Sequence, residues 1–249
     1  KIDWLKDANQ TINILNKEDV EWLIVDHYEL DFRWEKKLRP YTKKIMVIDD
    51  LSNRKHECDI LLDQNLKHNY KNKYKNLLPK YCSKFLGTQY TLLQSEYENL
   101  HFDAPIRTGP IKRIFLYFGN TNQKDLIELF VSAFLKLNRK DIILDIVIPL
   151  NYQSTKIDKL KKNHKNIKIY KDLKSLSTLM LKADLGIGAC GINTWERCCL
   201  GLPSLVVTIA DNQKLIAKEL HKRGIIQWLG HKDKITFQII LDSLLNTID

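Results

Sequence analysis

The fold of this chain is decided by the stretch Ala183–Gln213, which reads ADLGIGACGINTWERCCLGLPSLVVTIADNQ. Its hydrophobic pattern predicts a buried strand at Asp184–Gly188, a tight loop at Ala189–Asn193 and a short helix at Thr194–Leu200. After a Gly-Leu-Pro stop, the pattern predicts a second strand at Ser204–Ile209 and a polar loop at Ala210–Gln213. Glycines in the first loop let the backbone approach a ligand, and free amides at a helix start favour phosphate. An ordinary βαβ crossover whose loop holds nothing explains the same pattern, so both interpretations stay open here.

A second interpretation of the same residues is a nicotinamide cofactor site. The run Gly186–Gly191 matches the pattern G-x-G-x-x-G, and Asp211 follows at a spacing that suits a carboxylate on a ribose. However, Gly186 and Gly188 fall inside the apolar run that we expect to be the strand. A lone match of this kind is weak, and we do not favour a dinucleotide.

Composition describes an ordinary globular chain of 249 residues with a formal net charge of +10. Its lysines are scattered along helical segments, so we expect attraction for small anions but no nucleic-acid partner. We see no apolar run long enough for a membrane span and no signal peptide, and therefore expect a cytoplasmic monomer that does not bind a membrane. The odd number of cysteines favours a reducing compartment over a disulfide framework or a structural zinc: Cys58, Cys82, Cys190, Cys198 and Cys199.

Strands alternate with helices along the rest of the chain, which predicts an α/β fold with parallel sheets. In the first half, strands are expected at Val20–Asp26, buried on both faces, and then at Lys44–Asp49 and Cys58–Asp63. We expect Asp49 and Asp50, at the end of the second of these strands, to hold a loop rather than a metal, because neighbours on an extended chain point in opposite directions.

The polar segment His101–Pro110 is the best candidate linker, and a second α/β unit follows it. This unit is expected to begin with the strand Ile111–Phe118 and a turn at Gly119–Asn122, a further junction able to hold an anion. Later helices are expected at Ser154–Lys162, Gln213–Arg223 and Lys234–Thr247. The sequence thus predicts an N-terminal α/β domain over residues 1–102, a C-terminal α/β domain over 103–233 and a final helix over 234–249.

Four segments resemble the PseG-type UDP-sugar hydrolases of pseudaminic acid biosynthesis: LIVDHY at Leu23–Tyr28, KIMVIDDL at Lys44–Leu51, CDILLDQNL at Cys58–Leu66 and TWERCCLGLPSLVVTIADNQ at Thr194–Gln213. The last segment is the most specific. The resemblance implies the GT-B architecture of the MurG-like glycosyltransferases, with two Rossmann-like domains. It also implies hydrolysis of a UDP-linked diacetamido-trideoxy-altropyranose to free sugar and UDP, by inverting attack of water, without a metal or other cofactor.

Carried over to this sequence, the resemblance places the diphosphate on the Gly191–Thr194 loop and the ribose hydroxyls on Glu196. Gly119 and Thr121 would line the ligand cleft that this architecture implies between the two domains. The sugar would be contacted by Asn212 and Gln213, and by Tyr28 from the other domain. The full set of expected binding residues is Tyr28, Gly119, Thr121, Gly191, Ile192, Asn193, Thr194, Glu196, Asn212 and Gln213.

The chain departs from the family pattern at its start, where the family has a first strand and a Gly-rich loop that carries the proposed catalytic histidine. No residue of this chain matches that histidine, because His27 belongs to the separate LIVDHY motif. We therefore expect an N-terminal domain without its first strand and loop, no catalytic residue among those present, and little or no activity. The alternatives are a UDP-binding fragment without turnover and a UDP-sugar-dependent glycosyltransferase.

Overall fold

Parallel strands form two separate sheets in this chain, one of four strands and one of six. The structure is a computed structural model that describes residues 2–66, 72–120, 123–152, 154, 157, 160 and 163–248. The chain divides into two units, between Leu92 and Leu93. The sequence placed this boundary after residue 102. The difference comes from Tyr97, which is buried among apolar side chains of the second unit and carries its helix with it.

The first unit holds the sheet of four strands, whose spatial order is also their order in the chain. These strands are β1 Trp22–Val25, β2 Lys44–Ile48, β3 Ile60–Asp63 and β4 Ser83–Leu86. The helices α1 Trp4–Leu15 and α2 Phe32–Leu38 accompany them. Both helices begin at an aspartate whose carboxylate accepts backbone amides, which satisfies donors that a helix start leaves open.

Two expectations for the first unit were wrong. Strand β1 is not buried on both faces, because it lies at an edge of the sheet and leaves Trp22 and Ile24 47% and 60% exposed. Strand β4 was missed because its first three residues are exposed and give no apolar run. The loop-holding role of Asp49 is confirmed, since its carboxylate accepts the Ser52 amide at 2.9 Å and pairs with Arg54 at 2.7 Å.

The second unit holds the sheet of six strands, in the order β10-β9-β8-β5-β6-β7. The strands are β5 Arg113–Tyr117, β6 Ile143–Ile148, β7 Ile167–Lys171, β8 Leu185–Ala189, β9 Ser204–Thr208 and β10 Gln227–His231. The helices are α3 Glu96–Asp103, α4 Lys124–Lys136, α5 Ser177–Lys182, α6 Ile192–Cys199, α7 Asp211–Lys222 and α8 Phe237–Ile248. Every residue of the central strands β8 and β9 is buried, as a parallel sheet covered on both faces requires.

This strand order is that of a doubly wound α/β domain. Counted from β5, the sheet runs 3-2-1-4-5-6, and its direction of growth reverses between β5 and β8. Loops at the carboxyl ends of the two strands diverge at such a reversal and leave a crevice between them. The fold therefore places the candidate site where the chain leaves Tyr117 and Ala189.

Other expectations for the second unit need correction. The polar loop expected at Ala210–Gln213 is wrong, because helix α7 already begins at Asp211. Strand β10 was missed, and most of the helix expected at Ser154–Lys162 lies outside the described residues. Helix α8 packs against α4, so it belongs to this unit. Among the described helices, none is long and apolar enough to cross a membrane.

Candidate functional site

The crevice at the strand reversal is bordered by the segment that follows β5 and the loop that follows β8. Tyr117 and Gly188 are register neighbours, so Gly119 and Cys190 each stand two residues farther along adjacent strands. Gly119 has a φ of +86°, which favours glycine, and among the described residues nothing except its own chain neighbours lies within 4 Å of the position that a Cβ would take. As far as these residues show, the backbone at Gly119 is open to a ligand.

Two helices start side by side at this edge of the sheet. Helix α6 is preceded by Gly191 and α7 by Ala210, and no side chain caps either helix start. The Gln213 side chain connects them, because its Oε1 accepts the Ile209 amide at 2.9 Å and its Nε2 lies 3.9 Å from the Cβ position of Gly191. Uncapped helix starts carry open N–H groups and partial positive charge, which suit an anion.

Glu196 stands one turn inside α6 and is held by polar neighbours on both sides. Its Oε2 accepts the side-chain amide of Asn193, and the buried hydroxyl of Tyr97, which donates to Met180 Sδ at 3.8 Å, lies near it. Burial raises the pKa of Glu196 above the ordinary glutamate value, and the Asn193 hydrogen bond, the Arg197 charge and the Tyr97 hydroxyl only partly oppose this. The carboxylate is thus a desolvated acceptor that a ligand hydroxyl could engage.

The base of the crevice carries Tyr117, whose hydroxyl donates to Asn120 Oδ1 at 2.8 Å. Burial raises the pKa of Tyr117, and the nearby carboxylates of Glu196 and Asp172 add to the effect. Cys190 is also buried, and burial raises the pKa of its thiol to about 11. The thiol is therefore protonated at neutral pH, as suits a buried packing residue rather than a nucleophile.

Thr194 and Arg197 lie beneath the loop rather than on its open side. Thr194 is 1% exposed, its hydroxyl donates to the Ala189 carbonyl at 3.2 Å, and its amide bonds to Gly191 O at 2.9 Å. Arg197 is also 1% exposed and donates to Ala189 O at 2.9 Å. Both side chains therefore support the loop from inside.

The first two glycines of the dinucleotide-like pattern leave space for the Arg197 side chain. Gly186 and Gly188 lie within β8, as expected, and a Cβ on either would stand 2.8 Å from the Arg197 side chain. A Cβ on Gly188 would also stand 2.4 Å from the Tyr117 carbonyl oxygen. The glycines thus make room for packing within the sheet, which removes the basis for a pyrophosphate-binding turn at these positions.

The second unit brings most of the expected binding residues to the two helix starts and the adjoining crevice: Gly119, Gly191, Ile192, Asn193, Thr194, Glu196, Asn212 and Gln213. Tyr28 lies in the first unit and is 52% exposed, and its contact with a sugar stays a prediction. Thr121 lies outside the described residues. Sequence reasoning missed Tyr97, which is distant in the chain from Glu196. It also passed over Arg197, although its position beside Glu196 in TWERCC was a usable signal.

Known proteins resemble the chain in sequence as well as in fold. It is 28% identical, over 86% of its length and 76% of the relative's, to the UDP-2,4-diacetamido-2,4,6-trideoxy-beta-L-altropyranose hydrolase of Campylobacter jejuni. The resemblance to the PseG-type hydrolases is confirmed. A second relative, from Helicobacter pylori, is also 28% identical, over 83% of this chain and 37% of the relative's length. It is named as a pseudaminic acid cytidylyltransferase and hydrolase of the same UDP-sugar. No protein-family model matches the chain.

Solved structures support the GT-B-like architecture. The structural match to MurG of Acinetobacter baumannii includes 99% of this chain and 70% of the MurG chain, at a TM-score of 0.62 and 13% sequence identity. The match to the spinosyn rhamnosyltransferase SpnG includes 98% of this chain and 69% of the SpnG chain, at a TM-score of 0.64 and 13% sequence identity. At such identities the likeness concerns the fold alone, and it agrees with the two parallel sheets described above.

Proposed function

We infer that this protein binds a UDP-sugar in the second unit and hydrolyses it to UDP and free sugar. The single observation that carries the inference is the pair of uncapped helix starts beside the strand reversal, with Glu196 one turn inside the first helix. The sequence relatives supply the substrate class, because those of Campylobacter and Helicobacter are both named as hydrolases of the same UDP-sugar.

In this proposal the diphosphate lies on the start of α6. The backbone from Gly191 to Asn193 faces it, and Gly119 lets its oxygens approach the end of β5. Two negative charges there would meet the positive end of the α6 dipole. The ribose hydroxyls then donate to Glu196, which exchanges the Asn193 side-chain amide for the ligand.

The sugar would extend toward the start of α7, where Asn212 and Gln213 supply side-chain amides. The proposed substrate is the diacetamido-trideoxy-altropyranose named for the relatives, whose acetamido groups can exchange hydrogen bonds with such amides. We assign these residues to binding and none to proton transfer.

The reaction is a displacement at the anomeric carbon. A water oxygen forms the new C–O bond, the bond to the diphosphate oxygen breaks with its electron pair on UDP, and configuration at that carbon inverts. The proton lost by water passes to solvent or to a general base. Helix α6 contributes by stabilising the charge that develops on the departing diphosphate, because its amides are fixed before the reaction begins.

Binding can be tested by calorimetry with UDP and with uridine. We expect the chain to bind UDP, and Glu196→Gln to weaken UDP and uridine by the same factor, about tenfold, because both ligands carry the ribose. Glu98→Gln is the matched control, since Glu98 is exposed on α3 of the same unit. Failure of the wild-type chain to bind UDP, or equal affinities of Glu196→Gln and Glu98→Gln for UDP, would remove this site.

Turnover separates hydrolysis from transfer. The second candidate is a glycosyltransferase that uses a UDP-sugar donor, because SpnG, which shares the fold of this chain, is named as a rhamnosyltransferase. Because the Campylobacter relative is named as a hydrolase, we expect UDP release from the UDP-linked altropyranose with water alone, in place of the low activity that the unmatched histidine motif suggested. Release that requires an added sugar or lipid acceptor would favour the transferase. Binding of UDP without any release would overturn the hydrolase and leave a UDP-binding protein.

A further inference from the structure

Arg197 is a fully buried cation whose hydrogen bonds all go to neutral groups. Its Nη2 donates to the Ala189 carbonyl at 2.9 Å and to the Thr194 hydroxyl at 3.1 Å, and its Nε donates to the Ser204 hydroxyl at 3.1 Å. Its Nη1 is buried and has no hydrogen-bond partner in the part of the chain that the structure describes. The side chain is 1% exposed, so solvent does not compensate for this.

No carboxylate forms an ion pair with Arg197 among the described residues. Burial lowers the pKa of Arg197, and Cys198, Cys190 and the Glu196 carboxylate oppose this through space. The pKa of Glu196 is itself raised by burial. Arginine keeps its proton even in such surroundings. A buried charge without an ionic partner costs free energy. The Arg197 charge therefore destabilises the folded, ligand-free protein.

The cation lies directly under the proposed phosphate loop. Ala189 ends β8 and Thr194 belongs to the first turn of α6, so the guanidinium joins the two sides of the loop that runs through Gly191. The two glycines of β8 leave space for it, although glycine weakens the interior of a strand. This segment thus accommodates a charge that forms no ion pair within the described part of the chain.

We propose that the partner of the Arg197 charge is the diphosphate of the bound ligand, which Arg197 attracts from beneath the loop without touching it. Arg197 is on this view a positioning residue with two effects. It fixes the Ala189 carbonyl and the Thr194 hydroxyl, and thereby the course of the loop. Its charge also adds to that of the α6 start, so that phosphorylated ligands are selected over uncharged ones.

A merely structural role makes opposite predictions. If Arg197 serves only to hold the fold, neutral substitutions should destabilise the protein and weaken all ligands alike. If its charge serves to attract a bound anion, neutral substitutions should leave the ligand-free protein as stable as the wild type or more stable. The local hydrogen bonds allow this, because the Thr194 hydroxyl still donates to Ala189 O at 3.2 Å and the Ser204 hydroxyl to Leu202 O at 2.9 Å.

The test compares Arg197→Met, Arg197→Gln and Arg197→Lys in thermal unfolding and in calorimetry with UDP and with uridine. We expect both neutral variants to melt at or above the wild-type temperature, to lose about tenfold or more in UDP affinity, and to change in uridine affinity less than about threefold. Arg197→Lys, which keeps the charge, should recover most of the UDP affinity.

The proposal is overturned if UDP and uridine weaken by the same factor, if UDP affinity does not change, or if both neutral variants fail to fold while Arg197→Lys folds. The inference rests on the proposed function, and the two can fail separately. Absence of UDP binding by the wild-type chain would defeat the function, whereas wild-type binding without a selective loss in the neutral variants would defeat only the role of Arg197.

Discussion

Gly188→Ala should destabilise the second unit strongly. The added Cβ would stand 2.4 Å from the Tyr117 carbonyl oxygen and 2.8 Å from Arg197 Nη1. The first of these atoms is backbone of the adjoining strand β5, at a register pair in the middle of the sheet, so it cannot move away by a rotamer change. Overpacking costs about 1–3 kcal/mol, and a fixed backbone neighbour favours the upper end, about 3 kcal/mol.

Two other glycines of the same unit provide the matched controls. The atoms nearest to a Cβ on Gly186 belong to side chains, Arg197 Cδ at 2.8 Å and Ser204 Oγ at 3.0 Å, which can yield more than backbone, so we expect Gly186→Ala to cost about 2 kcal/mol. A Cβ on Gly109 would meet nothing within 4 Å among the described residues, and Gly109→Ala should change stability by no more than about 0.5 kcal/mol.

Urea unfolding followed by circular dichroism gives the free energies of unfolding, and amide hydrogen exchange shows whether the loss includes Leu185–Ala189. A cost of about 3 kcal/mol corresponds to a fall in melting temperature of about 6–12 °C for a unit of this size. If Gly188→Ala and Gly109→Ala unfold at the same urea concentration, the close packing of β5 against β8, and with it the account of the two glycines, is incorrect.

Three further changes test the charged groups. Because burial raises the pKa of Glu196 in the folded state, Glu196→Gln should raise the melting temperature at pH 7, and the gain should vanish below about pH 4; an equal gain at both pH values would contradict this. Burial also acts to raise the pKa of Asp49, but the Ser52 amide and the Arg54 charge outweigh it and hold the pKa low. Asp49→Asn should therefore cost about 3 kcal/mol at pH 7 in urea unfolding, a loss that shrinks as acid protonates the wild-type carboxylate, and a pH-independent loss would refute the mechanism. Tyr97→Phe removes a buried hydroxyl that donates to Met180 Sδ at 3.8 Å and lies near Glu196, and should lower the free energy of unfolding by about 1 kcal/mol; unchanged stability would show that these contacts contribute nothing.

The first unit shows where a sequence pattern is sufficient and where it is not. Apolar runs located β1, β2 and β3, because burying such runs is what makes strands of a parallel sheet. They could not show that β1 is an edge strand with Trp22 exposed, since edge or centre depends on which strands pair, and pairing joins residues far apart in the chain. Strand β4 forms by pairing with β3 and carries no apolar pattern of its own.

For the candidate site, the sequence by itself determined the strand–loop–helix segment from β8 to α6 and the place of Glu196 one turn inside the helix, because both follow from local periodicity and glycine content. Only the tertiary structure decided that β5 lies beside β8, that Tyr97 lies near Glu196, and that the glycines of β8 accommodate Arg197. The physical reason is the same in each case. These contacts depend on how buried side chains from different segments pack together in the folded chain, and local sequence patterns do not encode that packing.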